Sequence, residues 1–296
     1  MALFTGSREV MRVRIVVGMK WVPGTQSVRI DPKTGTLIRE GVPSIVNPHD
    51  LPAVELALRL KDKYGGEVIA LTMSPPPAVK GLEYLVGMGV DKAILVSDRV
   101  YAGADTLATS YVLANAIKKI DKDIGKVDLA VFGQETTDSS TAHIAAQTAS
   151  WLEWPYVYYV RDAWLTEEGK LRVERILENA VEEWELDMPA IINVAMKSLK
   201  PRPVSLLNKI RFKANPSTLI TWSNNDLKLD TRCTGLKGSP TIVAKTVDVP
   251  EVPRKKQVYT PKNGEDAAKW ILKALLSDEK ASKALIRALK EGGDKA

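Results

Sequence analysis

The residues best placed to do chemistry lie between Val127 and Trp154, in VDLAVFGQETTDSSTAHIAAQTASWLEW. The chemistry would be anion binding, because a strand that ends in a polar loop and a helix start delivers free backbone N–H groups to a phosphate. Asp128 to Phe132 form a short apolar run and Gly133 breaks it. Asp138, Ser139, Ser140 and Thr141 are then N-cap candidates ahead of the helical spacing Ile144, Thr148, Trp151, Leu152. The loop contains neither GxGxxG nor GxxxxGKS/T, so it is neither a common dinucleotide fingerprint nor a P-loop. On the residues alone it reads equally as a capped helix of an α/β domain and as a nucleotide seat.

Other chemistries lack their parts. Cys233 is the single cysteine, which excludes an internal disulfide and a cysteine-ligated metal cluster and fits a reducing cytoplasm. His49 and His143 are the two histidines and lie in different loops, with no nucleophile motif attached to either. A zinc or iron site, or a hydrolytic triad, is therefore not expected from this chain. Redox chemistry must come from an organic cofactor.

The net charge of +6 is unevenly spread: no acidic residue occurs from Met188 to Asn225, while Lys197, Lys200, Arg202, Lys209, Arg211 and Lys213 are all basic. Such a block suits an acidic protein, nucleotide phosphates or nucleic acid, or is a solvated loop. Phe212 is the one aromatic residue between Lys197 and Lys213, too few to stack single strands, and no nucleic-acid partner is expected.

These residues need a scaffold, and 296 residues with 45% hydrophobic and 26% charged side chains suffice for one large domain with an appendage or for two domains. No apolar run approaches the ~18 residues of a membrane span. The opening MALFTGSREV lacks the basic start and apolar core of a cleaved signal, and residues 1–10 are expected to fray. Strand-like runs at Arg12–Met19, Glu67–Met73, Asp91–Val96 and Asp128–Phe132 alternate with helical spacings at 50–60, 78–88 and 107–119. That alternation predicts an α/β fold with a mostly parallel, doubly wound sheet, whose ligands bind outside the carboxyl ends of the strands. Val28, Ile30 and Leu37, Ile38, flanking Asp31, Pro32, Thr34 and Gly35, predict an inserted β-hairpin. Beyond Trp154 the pattern turns antiparallel, with strands at Tyr156–Leu165, Leu171–Ile176, Ala180–Leu186 and Ala190–Val194. Residues 214–264 show little periodicity and read as an arm; Asp266 to Leu289 read as one amphipathic helix.

With the loops placed, the chain resembles the beta subunit of electron transfer flavoprotein. The resemblance runs through VVGMKWVPGTQSVRIDPKTGTLIREGVPSIVNPHDLPAVELALRLKD, ALTMSPP, GMGVDKAILVSDRVYAGADTLATS, DLAVFGQETTDSSTAHIAAQ and MKSLKPRPV, about residues 12 to 215. It implies an adenine nucleotide alpha hydrolase-like sheet domain with an antiparallel extension, a C-terminal arm and helix, and an alpha-subunit partner. The implied boundaries are 1–213 for the nucleotide/FAD-binding α/β domain, 214–264 for the partner-binding arm and 265–296 for the C-terminal helix.

Two kinds of family member differ in what the beta subunit holds: AMP as a structural ligand in plain electron shuttles, and a second FAD in electron-bifurcating members. VPGTQSVRIDPKTGTLIREGVPSIVNP and DRVYAGADTLATS look like the bifurcating kind, so FAD is expected, with AMP as the alternative. The resemblance then implies a hydride taken from NADH, one electron sent to a low-potential acceptor such as ferredoxin and one, through the alpha-subunit FAD, to a quinone-linked acceptor. No catalytic side chain and no metal are implied. A cytoplasmic location follows, with any membrane association through partner subunits. A nucleotide-binding regulatory module would fit the first 150 residues but leaves the long arm unused.

Carried over residue by residue, Gly18, Met19, Lys20, Asn47, Asp50 and Met73 match positions that surround the adenosine. Gly133, Gln134, Asp138, Ser140, Thr141, Ala142 and His143 match the loop that holds phosphates and ribose. Gly103, Ala104, Asp105, Thr106 and Thr109 match positions beside the flavin half. This chain departs from the family loop DGDTxQVGP: His143 stands where glutamine is usual, Ala145 and Ala146 replace Gly-Pro, and Gln134 and Glu135 replace Lys-Gln.

Overall fold

The computed structural model describes residues 12–24, 29–30, 37–38, 43–244 and 256–292. Residues 1–10 and the turn of the expected hairpin lie outside them. The first strand, β1 (Val13–Gly18), is followed by four short ones, β2 (Trp21–Pro23), β3 (Arg29–Ile30), β4 (Leu37–Ile38) and β5 (Ser44–Val46). Strand β3 pairs antiparallel with β4, which is the hairpin expected between the first strand and the first helix, and β2 pairs with β5. Then come α1 (Leu51–Tyr64), β6 (Gly66–Met73), α2 (Val79–Met88), β7 (Lys92–Val96), α3 (Thr106–Asp123), β8 (Leu129–Gly133) and α4 (Ile144–Leu152). Strands β9 (Tyr156–Leu165), β10 (Leu171–Ile176), β11 (Val181–Leu186) and β12 (Ala190–Val194) precede α5 (Leu206–Ala214), β13 (Leu219–Trp222) and the short α6 (Asn224–Leu227).

Among the described residues the main sheet runs β11-β10-β9-β12-β8-β1-β6-β7-β13. Strands β1, β6 and β8 are runs of Val, Ile, Leu and Ala buried on both faces, the composition a central parallel strand requires. Helices α1 and α2 pack one face around Leu56, Leu58, Leu82 and Leu85. Helices α3 and α4 pack the other around Val112, Ile117, Ala145 and Leu152. Gly66, at φ 112°, starts β6 so close to β1 that a Cβ there would lie 2.0 Å from the Val13 carbonyl oxygen.

Three expectations are corrected. Strand β12, expected as the last strand of an antiparallel meander, lies between β9 and β8 and is parallel to both. Its sequence AIINV is buried at every position, which suits the sheet interior and not a solvated ribbon. Only β9, β10 and β11 form the antiparallel extension. Residues 219–222, expected within the arm, form the edge strand β13, parallel to β7, with Trp222 buried against the α3 face. Four residues between Pro216 and a Ser-Asn-Asn turn are too few to display a period. The single C-terminal helix is two, α7 (Gly264–Ser277) and α8 (Glu279–Gly292), since Asp278 is extended and its carboxylate accepts the Ala281 N–H at 2.9 Å. The chain divides into compact units at Thr246/Val247; in the second, Tyr259 stacks on Trp270 at 5.0 Å. No helix among the described residues is long and apolar enough to cross a membrane.

Part of the basic block is spent inside the fold. Arg202 donates to the buried Glu55 of α1 from its main-chain N–H (3.0 Å) and Nε (2.9 Å), and its Nη2 lies 2.8 Å from Asp62. Burial works to raise the Glu55 carboxyl, but the hydrogen bonds from Arg202 and Arg59 hold it below the ordinary carboxylate range. Lys213 lies 3.5 Å from Glu83, and the Lys209 ammonium sits 5.9 Å from the Tyr84 ring. Arg202→Ala leaves a buried carboxylate with Arg59 as its one charged partner beside the main-chain N–H of residue 202, and is expected to cost roughly 3 kcal/mol. Lys200→Glu, at an exposed position, should stay within about 0.5 kcal/mol of wild type. Urea unfolding midpoints of the two variants check this, and equal midpoints would show that Arg202 is not a structural clamp.

Candidate functional site

The order β7-β6-β1-β8-β12 is built outward from β1 in both directions. The chain leaving β1 reaches α1 on one face, while the chain leaving β8 reaches α4 on the other. Two adjacent parallel strands whose loops part to opposite faces leave a crevice at their carboxyl ends, the place where open α/β sheets bind ligands. The sequence-derived residues Gly18, Met19 and Lys20 lie on one side of this crevice and Gly133 and Gln134 on the other.

Two side chains tie the parting loops together, and a third braces the β1 side. Lys20 Nζ lies 2.7 Å from Asp138 Oδ1 and donates to Ser139 Oγ at 3.2 Å and Thr136 Oγ1 at 3.4 Å. Asn47, fully buried, donates to the Glu135 carbonyl at 2.8 Å and accepts the Thr137 N–H at 3.2 Å. Asp50, just before α1, accepts the Lys20 N–H at 2.8 Å. The glycines set the approach: a Cβ on Gly133 would lie 2.4 Å from Asp50 Oδ1 and from the His49 carbonyl oxygen, and one on Gly18 would lie 2.4 Å from the Phe132 ring.

Electrostatics differ sharply within this cluster. Burial works to raise the Asp138 carboxyl, but the Lys20 ammonium and the hydrogen bonds of Lys20, Thr136 and Ser139 hold it below the ordinary range. For Asp50 burial wins: its carboxyl is pushed up to about 7, although the Lys20 N–H, Asn47 and the Lys20 ammonium pull the other way.

The rest of the loop is kept open at a cost. Ser140 (φ 48°) and Ala142 (φ 57°) hold left-handed conformations that cost a non-glycine residue on the order of 1 kcal/mol each. Asp138 to Thr141 do not cap α4, contrary to expectation; His143 holds the N-cap position and caps with no side chain. Asp138 is turned to Lys20 instead. The first turn of α4 therefore offers its N–H groups and the positive end of the helix dipole to an anion.

Not every expected residue joins. Met19 is 6% exposed and its Sδ-methyl end packs by Gly81 in the α2 core, so its side chain faces away from the crevice. Met73 packs against the α3 face. The Gln134 side chain accepts the Met196 N–H at 3.0 Å and is turned toward β12. Gly103, Ala104, Asp105, Thr106 and Thr109 form the loop and first turn of α3, and the segment 235–241 packs on them. Asp105 caps α3 through the Ala108 N–H (3.1 Å) and accepts from Thr241 Oγ1 (2.7 Å), while its own N–H donates to Ser239 (2.8 Å). Beside it a cleft of about 350 Å³ is lined by Leu107, Tyr111, Trp151, Arg232 and Lys237. Thr136, Thr137 and Asn193 were not singled out from the sequence. A lone asparagine in the apolar strand AIINV was the available signal for the last.

The family model described as "Electron transfer flavoprotein domain" matches residues 34–226. The chain is 42% identical over 239 residues to the caffeyl-CoA reductase-Etf complex subunit CarD of Acetobacterium woodii, covering 80% of this chain and 88% of that protein. It is 41% identical over 234 residues to the electron transfer flavoprotein subunit beta of Clostridium acetobutylicum, covering 79% and 87%. With Protein FixA of Azotobacter vinelandii the identity is 39% over 265 residues, covering 88% and 92%.

Asp50 gives the crevice a pH signature. Its carboxyl binds a proton up to about pH 7 in the folded chain but only to 3.8 in an ordinary setting. The unfolded chain thus releases the proton first, and the Asp50 contribution to stability is lost as pH rises from 3.8 to about 7. Relative to Asp50→Asn, wild type should lose on the order of 4 kcal/mol across that window. Urea midpoints of both proteins below and above the window measure the difference; a constant difference would mean that Asp50 titrates alike in the folded and unfolded chain.

Proposed function

Because the chain belongs to the electron transfer flavoprotein family, as a beta subunit, we propose that its crevice seats FAD in an electron-bifurcating heterodimer with an alpha subunit. The observation that carries the reading is the crevice between β1 and β8, with glycines at both strand ends and an uncapped helix start beyond it. That donor set fits a pyrophosphate: main-chain N–H groups and a helix dipole supply the attraction, and the absent Cβ atoms admit a close approach.

In this reading Lys20, Asn47 and Asp50 hold the two lips of the seat. Gly133, Ser140, Thr141, Ala142 and His143 line the phosphate side, and Gly103 to Thr109 meet the far end of the ligand. Lys20 acts as a tie more than as a free phosphate ligand, since Asp138 already neutralises it. Bound FAD supplies hydride acceptance and one-electron release, chemistry that no side chain here provides. NADH is then the hydride source, a ferredoxin-type carrier the low-potential acceptor, and the alpha-subunit FAD the way to a quinone-linked acceptor. Lys197, Lys200 and Arg211, exposed members of the basic block, remain for the alpha subunit or an acidic carrier. A cytoplasmic heterodimer, reaching a membrane only through further partners, accords with this reading.

One observation favours AMP in the same seat and a plain shuttle function. Asp105 is already engaged by Ala108 and Thr241, and Leu236 packs on Gly103, so the positions assigned to the flavin half are held by the chain itself.

Denaturing the purified heterodimer and counting released nucleotides separates the readings. Two FAD per heterodimer is the expected result; one FAD with one AMP would establish the shuttle reading instead. Asp105→Ala removes an N-cap and is expected to cost about 1 kcal/mol of stability. It should also weaken FAD retention about tenfold, the equivalent of about 1.4 kcal/mol, with AMP retention unchanged. Full flavin occupancy in that variant would remove the Gly103–Thr109 loop from the site.

A further inference from the structure

Strand β8 is flanked by β1, across the crevice, and by β12 on its other side. At its end the Gly133 carbonyl accepts from Asn193 Nδ2 at 2.7 Å. The next carbonyl, that of Gln134, accepts from the same Nδ2 at 3.3 Å and from the Tyr158 hydroxyl at 3.2 Å. The Gln134 side chain is pinned to the same side by the Met196 N–H at 3.0 Å. Asn193 is 1% exposed and sits in a strand otherwise made of Ala, Ile and Val, a costly place for an amide unless its bonds matter. Its orientation is fixed by chemistry, because the flipped amide would set its oxygen against two carbonyl oxygens.

In a trans peptide the N–H of a residue points opposite to the carbonyl of the residue before it. The pairing of Val194 with Gly133 in the parallel ladder keeps the Gln134 N–H on the β12 side, toward the Val194 carbonyl. The Gln134 carbonyl, held by Asn193 and Tyr158, turns the Glu135 N–H the other way, to the β1 side of β8 where the crevice opens. Without Asn193 and Tyr158 the Gln134–Glu135 peptide loses both side-chain anchors, and once rotated it would present a carbonyl oxygen to an incoming phosphate.

We propose that Asn193, together with Tyr158, is the positioning residue that aims the Glu135 N–H group at the phosphate of a nucleotide in the crevice. The inference rests on the nucleotide seat proposed above, and it assigns the phosphate selectivity of that seat to two side chains that lie behind it and never touch the ligand.

Calorimetric titration of the full-length chain with AMP and with adenosine tests it, because the ratio of the two affinities isolates the phosphate. Wild type should bind AMP more tightly than adenosine. Asn193→Leu, of similar volume but without a donor, should lose about tenfold in AMP affinity, the worth of one hydrogen bond to a charged group, and less than about twofold in adenosine affinity. Asn193→Ser, which restores one donor, should recover part of the loss. Tyr158→Phe removes only the hydroxyl and should lower AMP affinity about threefold with adenosine unchanged, a smaller loss than for the double donor. It keeps the test open if Asn193→Leu does not fold. An unchanged AMP-to-adenosine ratio in the variants, or an equal loss for both ligands, would overturn the positioning role and leave the seat standing. A wild-type chain that binds neither ligand would instead remove the seat, and the positioning role with it.

Discussion

Between the ends of β1 and β8 the sheet reverses its direction of winding, and everything near the crevice depends on holding two parting loops in register there. Hydrophobic contact cannot do this, because the loops diverge and their main-chain groups lose their ladder partners at the point of divergence. The chain holds them with polar bonds of fixed direction: Lys20 to Asp138, Asn47 to Glu135 and Thr137, and Asp50 to the Lys20 N–H. The bonds of the Lys20 ammonium and of Asn47 span some ninety to one hundred and twenty residues of sequence at half-buried positions, where they are screened less than at an open surface. Glycine at both strand ends is the steric counterpart, since any Cβ there would strike Asp50 or Phe132.

The same arrangement explains why the loop after Gly133 can stay strained and uncapped. Two non-glycine residues at positive φ and a helix start without a side-chain cap each lower stability. The parallel core around Ile15, Leu71 and Leu129 supports them. The Thr137 and Ser140 N–H groups are engaged by Asn47 and Thr136, while the first-turn N–H groups of α4 are left for an anion. On the β12 side Asn193 draws the first carbonyls of the loop inward, so the two flanks of β8 have opposite tasks: one fixes the peptide planes and the other leaves room.

Charge shows a similar division of labour. The basic stretch from Lys197 to Lys213 looks uniform along the sequence but is not uniform in space. Arg202 is drawn into the Glu55 and Asp62 carboxylates of α1, and Lys213 leans on Glu83, while Lys200 stays exposed. A buried carboxylate in the middle of α1 is thus answered by a residue about 150 positions later, which also fixes where the chain re-enters the fold before α5.

The alternation of apolar runs and helical spacings, and with it the parallel sheet, the hairpin between the first strand and first helix, and the four strand ends at one edge, was legible in the sequence. It also carried the family, since the matching motifs run through most of the chain. These are properties of local spacing and of contiguous stretches, which a linear reading contains. Which residues meet is settled only in the folded chain. That AIINV belongs between β9 and β8, that LITW closes the far edge, and that Asp138 answers Lys20 instead of capping α4 depend on partners distant in sequence. Buried apolar strands read alike whether they run parallel or antiparallel, and a carboxylate near a helix start has the same letter whether it caps or pairs. Asn193 makes the point most plainly: its letter stood out in an apolar strand, but its task became visible only when β12 was laid beside β8 and its amide met two carbonyls sixty residues back.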